Sequence, residues 1–174
     1  MTQLLVVLND LQIPFEDKKV LYLVLDFIKE IQPDGVILNG DIVDCYSVSD
    51  FTKNPASHAD IMTEVRRAGW LMNELRDCKK RVWLGCNHED RLRRYEWKRI
   101  PELANHPNLT FPSLFHVSDY GFSWADVAEI TPEEFAGYGD INLIMRVGDD
   151  SVYFISGSTK RNIGTISFLG SLGY

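Results

Sequence analysis

Two aspartates, Asp41 and Asp44, follow an apolar run, Gly35-Val36-Ile37-Leu38-Asn39, that reads as a buried parallel strand. Carboxylates at the C-terminal end of such a strand lie where open α/β sheets put their ligands. The same junction occurs twice more. Leu4 to Leu8 runs into Asn9-Asp10-Leu11-Gln12, and Arg81 to Leu84 runs into Gly85-Cys86-Asn87-His88-Glu89. Asp, Asp/Asp and Asn/His at three successive strand ends supply hard oxygen and borderline nitrogen donors, the makings of a metal site. Each junction alone has a plain structural alternative, in which Asp41 and Asp44 cap a turn and His88 satisfies backbone groups. The three in order point to the metal.

Helices must connect these strands. From Lys18, apolar residues at Val20, Val24, Phe27, Ile28 and Ile31 recur at helical spacing, and Gln32-Pro33-Asp34-Gly35 stops the run. A second helix carries Ile61, Val65, Ala68, Leu71, Met72 and Leu75, with Ser57 and Asp60 as its capping pair. Asp90 to Arg99 reads as a third, ended near Pro101. The first hundred residues are therefore two βαβ units. Beyond them the pattern weakens. Residues 105–115 hold two prolines and read as loop with short helical pieces, and Ile141 to Val147, Ser151 to Ile155 and Thr165 to Leu169 read as strands. Trp70, Trp83 and Trp124 read as core. No linker divides the chain, so residues 1–174 are expected to form a single α/β domain.

A chain of 174 residues with net charge −7 is large enough for a real core and too acidic overall for a general nucleic-acid coat. No apolar run approaches membrane-spanning length. The N-terminus passes straight into a strand without a basic segment or cleavage site, so a cytoplasmic location is expected. Cys45, Cys78 and Cys86 lack zinc-ribbon spacing and read as reduced packing residues.

The blocks Asn9 to Asp17, Gly40-Asp41-Ile42-Val43-Asp44 and Asn87-His88-Glu89 with its continuation to Tyr95 resemble the calcineurin-like metallophosphoesterase family, in particular its phage-borne and bacterial members. The family's motifs are D-x-H, G-D-x-x-D and G-N-H-[DE]. The clear match covers residues 1–100, and 101–174 match weakly. The resemblance implies a layered α-β-β-α fold with a mixed sheet, and hydrolysis of a phosphomonoester or phosphodiester by a metal-activated hydroxide. By that resemblance Asp41 bridges two cations, Asp10 binds the first and Asn87 the second through its amide oxygen. His88 protonates the leaving oxygen, and Asp44 orients His88.

The chain departs from the family at two places. Gln12 stands where the family has histidine. An amide oxygen suits manganese or magnesium better than zinc or iron, so Mn2+ is the expected cofactor, with Mg2+, Zn2+ and Fe2+ behind it. The alternative is that Gln12 only hydrogen-bonds within its loop. The family also supplies three more histidines from its C-terminal half. Here the histidines are His58, His88, His106 and His116, and none follows His116. Val147 matches one missing position, and Ser171 and Gly173 or the stretch Gly157 to Arg161 match the others. A truncated or rearranged copy, a reduced site with more bound water, and a pseudoenzyme that kept the fold all remain open. His116 before Val117 reads as structural.

Arg91, Arg93, Arg94, Lys98 and Arg99 follow the His88 loop. Arg91 and Arg94 are the candidate contacts to substrate phosphate, and Tyr95 and Trp97 offer stacking faces. A solvated helix face with its aromatics turned to the core is the alternative. Three function classes follow: a metal-dependent phosphoesterase acting on a phosphate ester or nucleic acid, a catalytically impaired relative that binds phosphate or nucleic acid in a regulatory role, and a plain nucleic-acid-binding module. The enzyme rests on the intact Asp10, Asp41, Asp44, Asn87 and His88. The sequence leaves the oligomeric state open.

Overall fold

Three short segments rich in valine, isoleucine and leucine, and a fourth, Ser123–Asp126, without that pattern, build the central sheet. The computed structural model describes residues 4–54, 56, 59–104, 106–126, 144–145, 152–156 and 159–164. Strands β1 (Leu5–Leu8), β2 (Gly35–Asn39), β3 (Lys80–Gly85) and β4 (Ser123–Asp126) pair in that order, all parallel. Leu8 registers with Leu38, and Asn39 with Leu84, so the first three strands end nearly level. A second, antiparallel sheet contains β5 (Ile144–Met145), β6 (Val152–Ser156) and β7 (Thr159–Gly164), and β5 lies in contact with β1. The expected mixed sheet is thus replaced, among the described strands, by one purely parallel and one purely antiparallel sheet. The crossovers through helices force the first to be parallel.

The core lies between the parallel sheet and its helices. Val6, Leu8, Val36, Leu38 and Trp83 pack against α1 (Lys18–Ile31) and α2 (Ile61–Glu74). Each fully buried leucine there stabilises the fold by about 1.5–3 kcal/mol. Leu5, Val7 and Ile37 are buried as well, as both faces of a parallel sheet must be. In α1 the inward residues are Leu21, Leu25 and Ile28, whereas Val20 and Phe27 are exposed. Apolar residues surround most of this helix, so spacing alone does not choose its inner face. Asp17 caps it, accepting from the backbone N–H of Lys19 at 2.9 Å. The inward stripe of α2 is the expected one, but Asp60 itself is its cap, accepting from Thr63 N–H at 2.6 Å. Ser57 and His58 lie outside the described residues.

Helix α3 spans Asp90–Arg99. The proline-containing segment after it includes α4 (Phe111–Leu114), which caps the edge of the sheet. Phe111 stacks on Phe115 (centroids 4.2 Å apart) and on Trp124 (4.9 Å), and meets the buried Trp83 edge-on at 5.4 Å. This aromatic cluster fastens β4 to β3. Trp70 and Trp124 are partly buried against the core, in line with their reading as core residues.

Candidate active site

The three motif loops leave the sheet together. Beyond β1 and β2 their backbones stay zipped: Asp10 N–H donates to Gly40 O (3.3 Å), Gln12 N–H to Asp41 O (2.9 Å), Ile13 N–H to Ile42 O (2.9 Å) and Asp44 N–H to Ile13 O (2.9 Å). This course bends the backbone into the left-handed region at Asp10, Gln12, Asp41 and Cys45 (φ 54°, 49°, 52° and 52°). Only Gly, Asn and Asp visit that region readily, so the bend costs about 1–2 kcal/mol at Gln12 and Cys45. Gly40, at φ 79°, has no alternative residue type, because a Cβ there would collide with the Cβ of Cys86 on the neighbouring loop.

Two buried glutamates hold the loops. Glu89, 2% exposed, accepts from Asp41 N–H (3.1 Å), Ile42 N–H (3.0 Å) and Cys86 N–H (3.1 Å), joining the second motif to the third. Glu64, on α2 and fully buried, accepts from Cys45 N–H (2.6 Å) and Tyr46 N–H (3.0 Å). Burial outweighs these hydrogen bonds and pushes both carboxyls up to about 7. Sequence reasoning missed both roles. The signal for Glu64 was a charged residue within the apolar stripe of α2, between Ile61 and Val65.

For Glu64 the raised value has a consequence for stability. Between its unfolded pKa of about 4.3 and the folded value of about 7, the folded chain holds a proton that the unfolded chain has released. Its contribution to stability therefore falls as pH rises through that window, by at most about 1.4 kcal/mol per pH unit, and levels off above it. Urea unfolding of the parent and of Glu64→Gln across pH 4.5–7.5 should show their stability difference moving against the parent as pH rises. A flat difference would mean that Glu64 is ionised throughout.

His88 and Asp44 meet through Arg91. Arg91 Nη1 donates to Asp44 O (2.7 Å) and Asp44 Oδ1 (2.5 Å), and Nη2 lies 2.9 Å from His88 Nε2. A guanidinium only donates, so Nε2 presents its lone pair and the ring proton sits on Nδ1. Nδ1 is 3.7 Å from Asp44 Oδ1, too far for a direct hydrogen bond. The backbone N–H of His88 donates to Asp41 Oδ1 at 3.3 Å. The structure therefore brings Asp41, Asp44, His88 and Arg91 into one network, with Asp10 and Gln12 on the loop zipped to it.

Asn87 is exposed on the third loop, where its Oδ1 accepts from the Cys86 thiol at 3.1 Å. Arg94 is not brought into the network: it is exposed and pairs with Asp90 at 2.5 Å. His116 sits in an exposed turn 3.2 Å from Asp119. Residues 146–149, 157–158 and 169–173, matched in sequence to the missing histidines, lie outside the described residues. Cys45, Cys78 and Cys86 are free thiols, and burial raises the pKa of each.

The donors fit a hard divalent cation: Asp10 and Asp41 carboxylates with the amide oxygens of Gln12 and Asn87 on adjoining loops. The buried Asn9 Oδ1, beside Asp10, accepts from no donor among the described residues. Among the described residues no three His, Cys, Asp or Glu side chains form a metal-holding group, so such a cation must take amide oxygens or water as well. A cavity of about 320 Å³ lies beside α3, between Glu89, Arg93, Glu96, Phe111 and Trp124. Asp10, Asp41 and Asn87 do not line it, although Glu89, which accepts from the Asp41 N–H, does.

Among the described residues no helix is long and apolar enough to cross a membrane. No family model and no solved structure matches the chain. A stretch of 53 residues is 47% identical to the Gene 54 protein of Mycobacterium phage D29, covering 30% of this chain and 21% of that protein. The Gene 54 protein of Mycobacterium phage L5 is 45% identical over 53 residues, again with 21% of its length covered. The chain is thus similar, over a minor part of their length, to proteins of two mycobacteriophages.

Proposed function

We propose that the chain is a metal-dependent phosphoesterase that hydrolyses a phosphomonoester or phosphodiester, with the layered α-β-β-α arrangement of the calcineurin-like family around its parallel sheet. The observation that carries this reading is the contact network that joins Asp41 and Asp44 of one strand end to His88 and Arg91 of the next. Asp10, Gln12, Asp41 and Asn87 hold the cation, with manganese preferred for an oxygen-rich set. A divalent cation there supplies an activated water and neutralises charge on the phosphoryl oxygens.

The chain's own groups do the rest. Arg91 offers its donors to a phosphoryl oxygen. When it turns from His88 Nε2 to the substrate, that nitrogen is free to take up a proton from solvent and pass it to the leaving oxygen, while Asp44 steadies the imidazole. A second reading, a phosphate-binding protein without turnover, is favoured by the absence of any histidine after His116.

The test is hydrolysis of two phosphodiesters, one with a nitrophenyl and one with an alkyl leaving group, with added manganese and with a chelator. Metal-dependent turnover is expected. His88→Ala should lower kcat by roughly 10²–10⁴-fold for the alkyl ester, and much less for nitrophenolate, which leaves without a proton. Manganese and phosphate binding without turnover would establish the second reading instead.

A further inference from the structure

The rim of this network carries an aromatic ring that the fold does not use. Phe51 is 74% exposed, more than any other large apolar side chain among the described residues. It stands beside the guanidinium of Arg91, 5.6 Å from the ring centroid, and the same guanidinium reaches His88 and Asp44. Ring, cation and imidazole thus follow one another from the surface inward. Phe15, half exposed, lies on the adjoining loop, edge-on to Tyr46 at 5.4 Å. Tyr95, one turn along α3 from Arg91, is also exposed. Lys98 beyond it pairs with Asp50, next to Phe51, at 2.8 Å.

We propose that Phe51 is the base-stacking subsite of this site, and that the ester it receives is a small nucleotide in which the base covers Phe51 and the phosphate meets Arg91. This rests on the phosphoesterase reading above and adds the substrate class to it. An exposed ring gains from a planar, polarisable face laid over it, and every nucleobase offers one. Charge decides the size of the ligand. Four of the five cations of α3 are already engaged, Arg91 by Asp44, Arg93 and Arg94 by Asp90, and Lys98 by Asp50, and Arg99 stands exposed at the end of the helix. The chain as a whole carries −7. A long polyanion finds no unbroken basic track here and is repelled at range. A ligand with one or two phosphates and one base needs only Arg91, the cation site and the ring.

The probes are adenosine 5′-monophosphate, ribose 5-phosphate and a 20-nucleotide single strand, titrated calorimetrically in the presence of manganese against the parent, Phe51→Ala and Phe51→Trp. The parent should bind the nucleotide roughly 5- to 100-fold more tightly than ribose 5-phosphate. Phe51→Ala should erase that preference and leave ribose 5-phosphate binding unchanged, and Phe51→Trp should retain the preference. Equal binding of the two small probes by the parent, no nucleotide binding, or tighter and steeply salt-dependent binding of the single strand would each overturn the proposal. The two readings fail separately. A base preference without phosphodiester turnover removes the enzyme and leaves the subsite, whereas turnover without a base preference does the reverse.

Discussion

Glu89→Ala is expected to destabilise the chain by about 3–5 kcal/mol and to lower its Tm by roughly 10–15 °C. The carboxylate accepts three backbone N–H groups from two different loops, and an alanine leaves all three without a partner. Each buried donor left unsatisfied costs about 1–3 kcal/mol. Water admitted to the vacated space recovers some of this, and the raised pKa of Glu89 shows that holding its charge in the fold was itself costly. Both offsets pull the sum toward the lower part of the range. Glu89→Gln should lose less, because its amide oxygen still accepts while its NH2 opposes a donor. Thermal unfolding of the three proteins side by side is the measurement. A fall in Tm of under about 2 °C for the alanine variant would show that the loops are held by something else.

Asp41→Asn should weaken manganese binding by roughly 100-fold, and Asp10→Asn by roughly tenfold, corresponding to about 2.7 and 1.4 kcal/mol. The difference follows from the bridging role that the family resemblance implies for Asp41: were a second cation held beside the first, loss of the Asp41 carboxylate would remove contacts to both and the charge between them. Both positions have left-handed backbone, and asparagine adopts it as readily as aspartate. The substitutions therefore change charge without forcing the loops to rearrange, and unfolding curves of the two variants should overlie the parent's. Turnover should fall further for Asp41→Asn than for Asp10→Asn. Equal losses of affinity by calorimetric titration would indicate a site for a single cation.

How far such a site can be read in advance depends on which forces leave a local mark. Apolar runs ending in Asp10, Asp41 and Asn87 announce three buried strands, and α3 occupies the expected Asp90–Arg99, because burial imposes a period on the sequence. The inner face of α1 leaves no such mark, since Leu21 and Leu25 face the core while Val20 and Leu23, equally apolar, face outward. Strand β4 escapes as well. Ser123-Trp124-Ala125-Asp126 has no strand pattern of its own and is held by β3 and by the stack on Phe111. At the site, residue types disclose the motif loops but not their supports. Glu64 is separated from Cys45 by 19 positions and Glu89 from Ile42 by 47, distances at which a hydrogen bond has no local signature. The exposure of Tyr95 and Trp97 goes against the alternative in which the aromatics turn to the core, since the buried side of α3 is supplied by Leu92 and Glu96.

The two buried carboxylates also bear on how this edge of the molecule moves. The amides of Asp41, Ile42 and Cys86 are tied to the turn that opens α3, and those of Cys45 and Tyr46 to the first turn of α2. Those connections break only when a helix shifts or a glutamate swings out of the core, so the loops share the opening free energy of the scaffold rather than that of ordinary surface turns. The floor beneath a ligand is consequently stiff, and its geometry is set before anything arrives. Freedom is left to the outer wall, where Phe51 is held by its ring contact with Arg91 and by the hydrogen bond from its N–H to Ser49 Oγ (3.2 Å), and Asp50 by an exposed ion pair with Lys98. Solvent and salt screen such an exposed pair and side-chain entropy opposes it, so the wall can swing aside at little cost while the floor stays in place. Arrival and departure of a ligand should then be paced by these few surface contacts, and its release rate should rise with ionic strength as salt screens the ion pair.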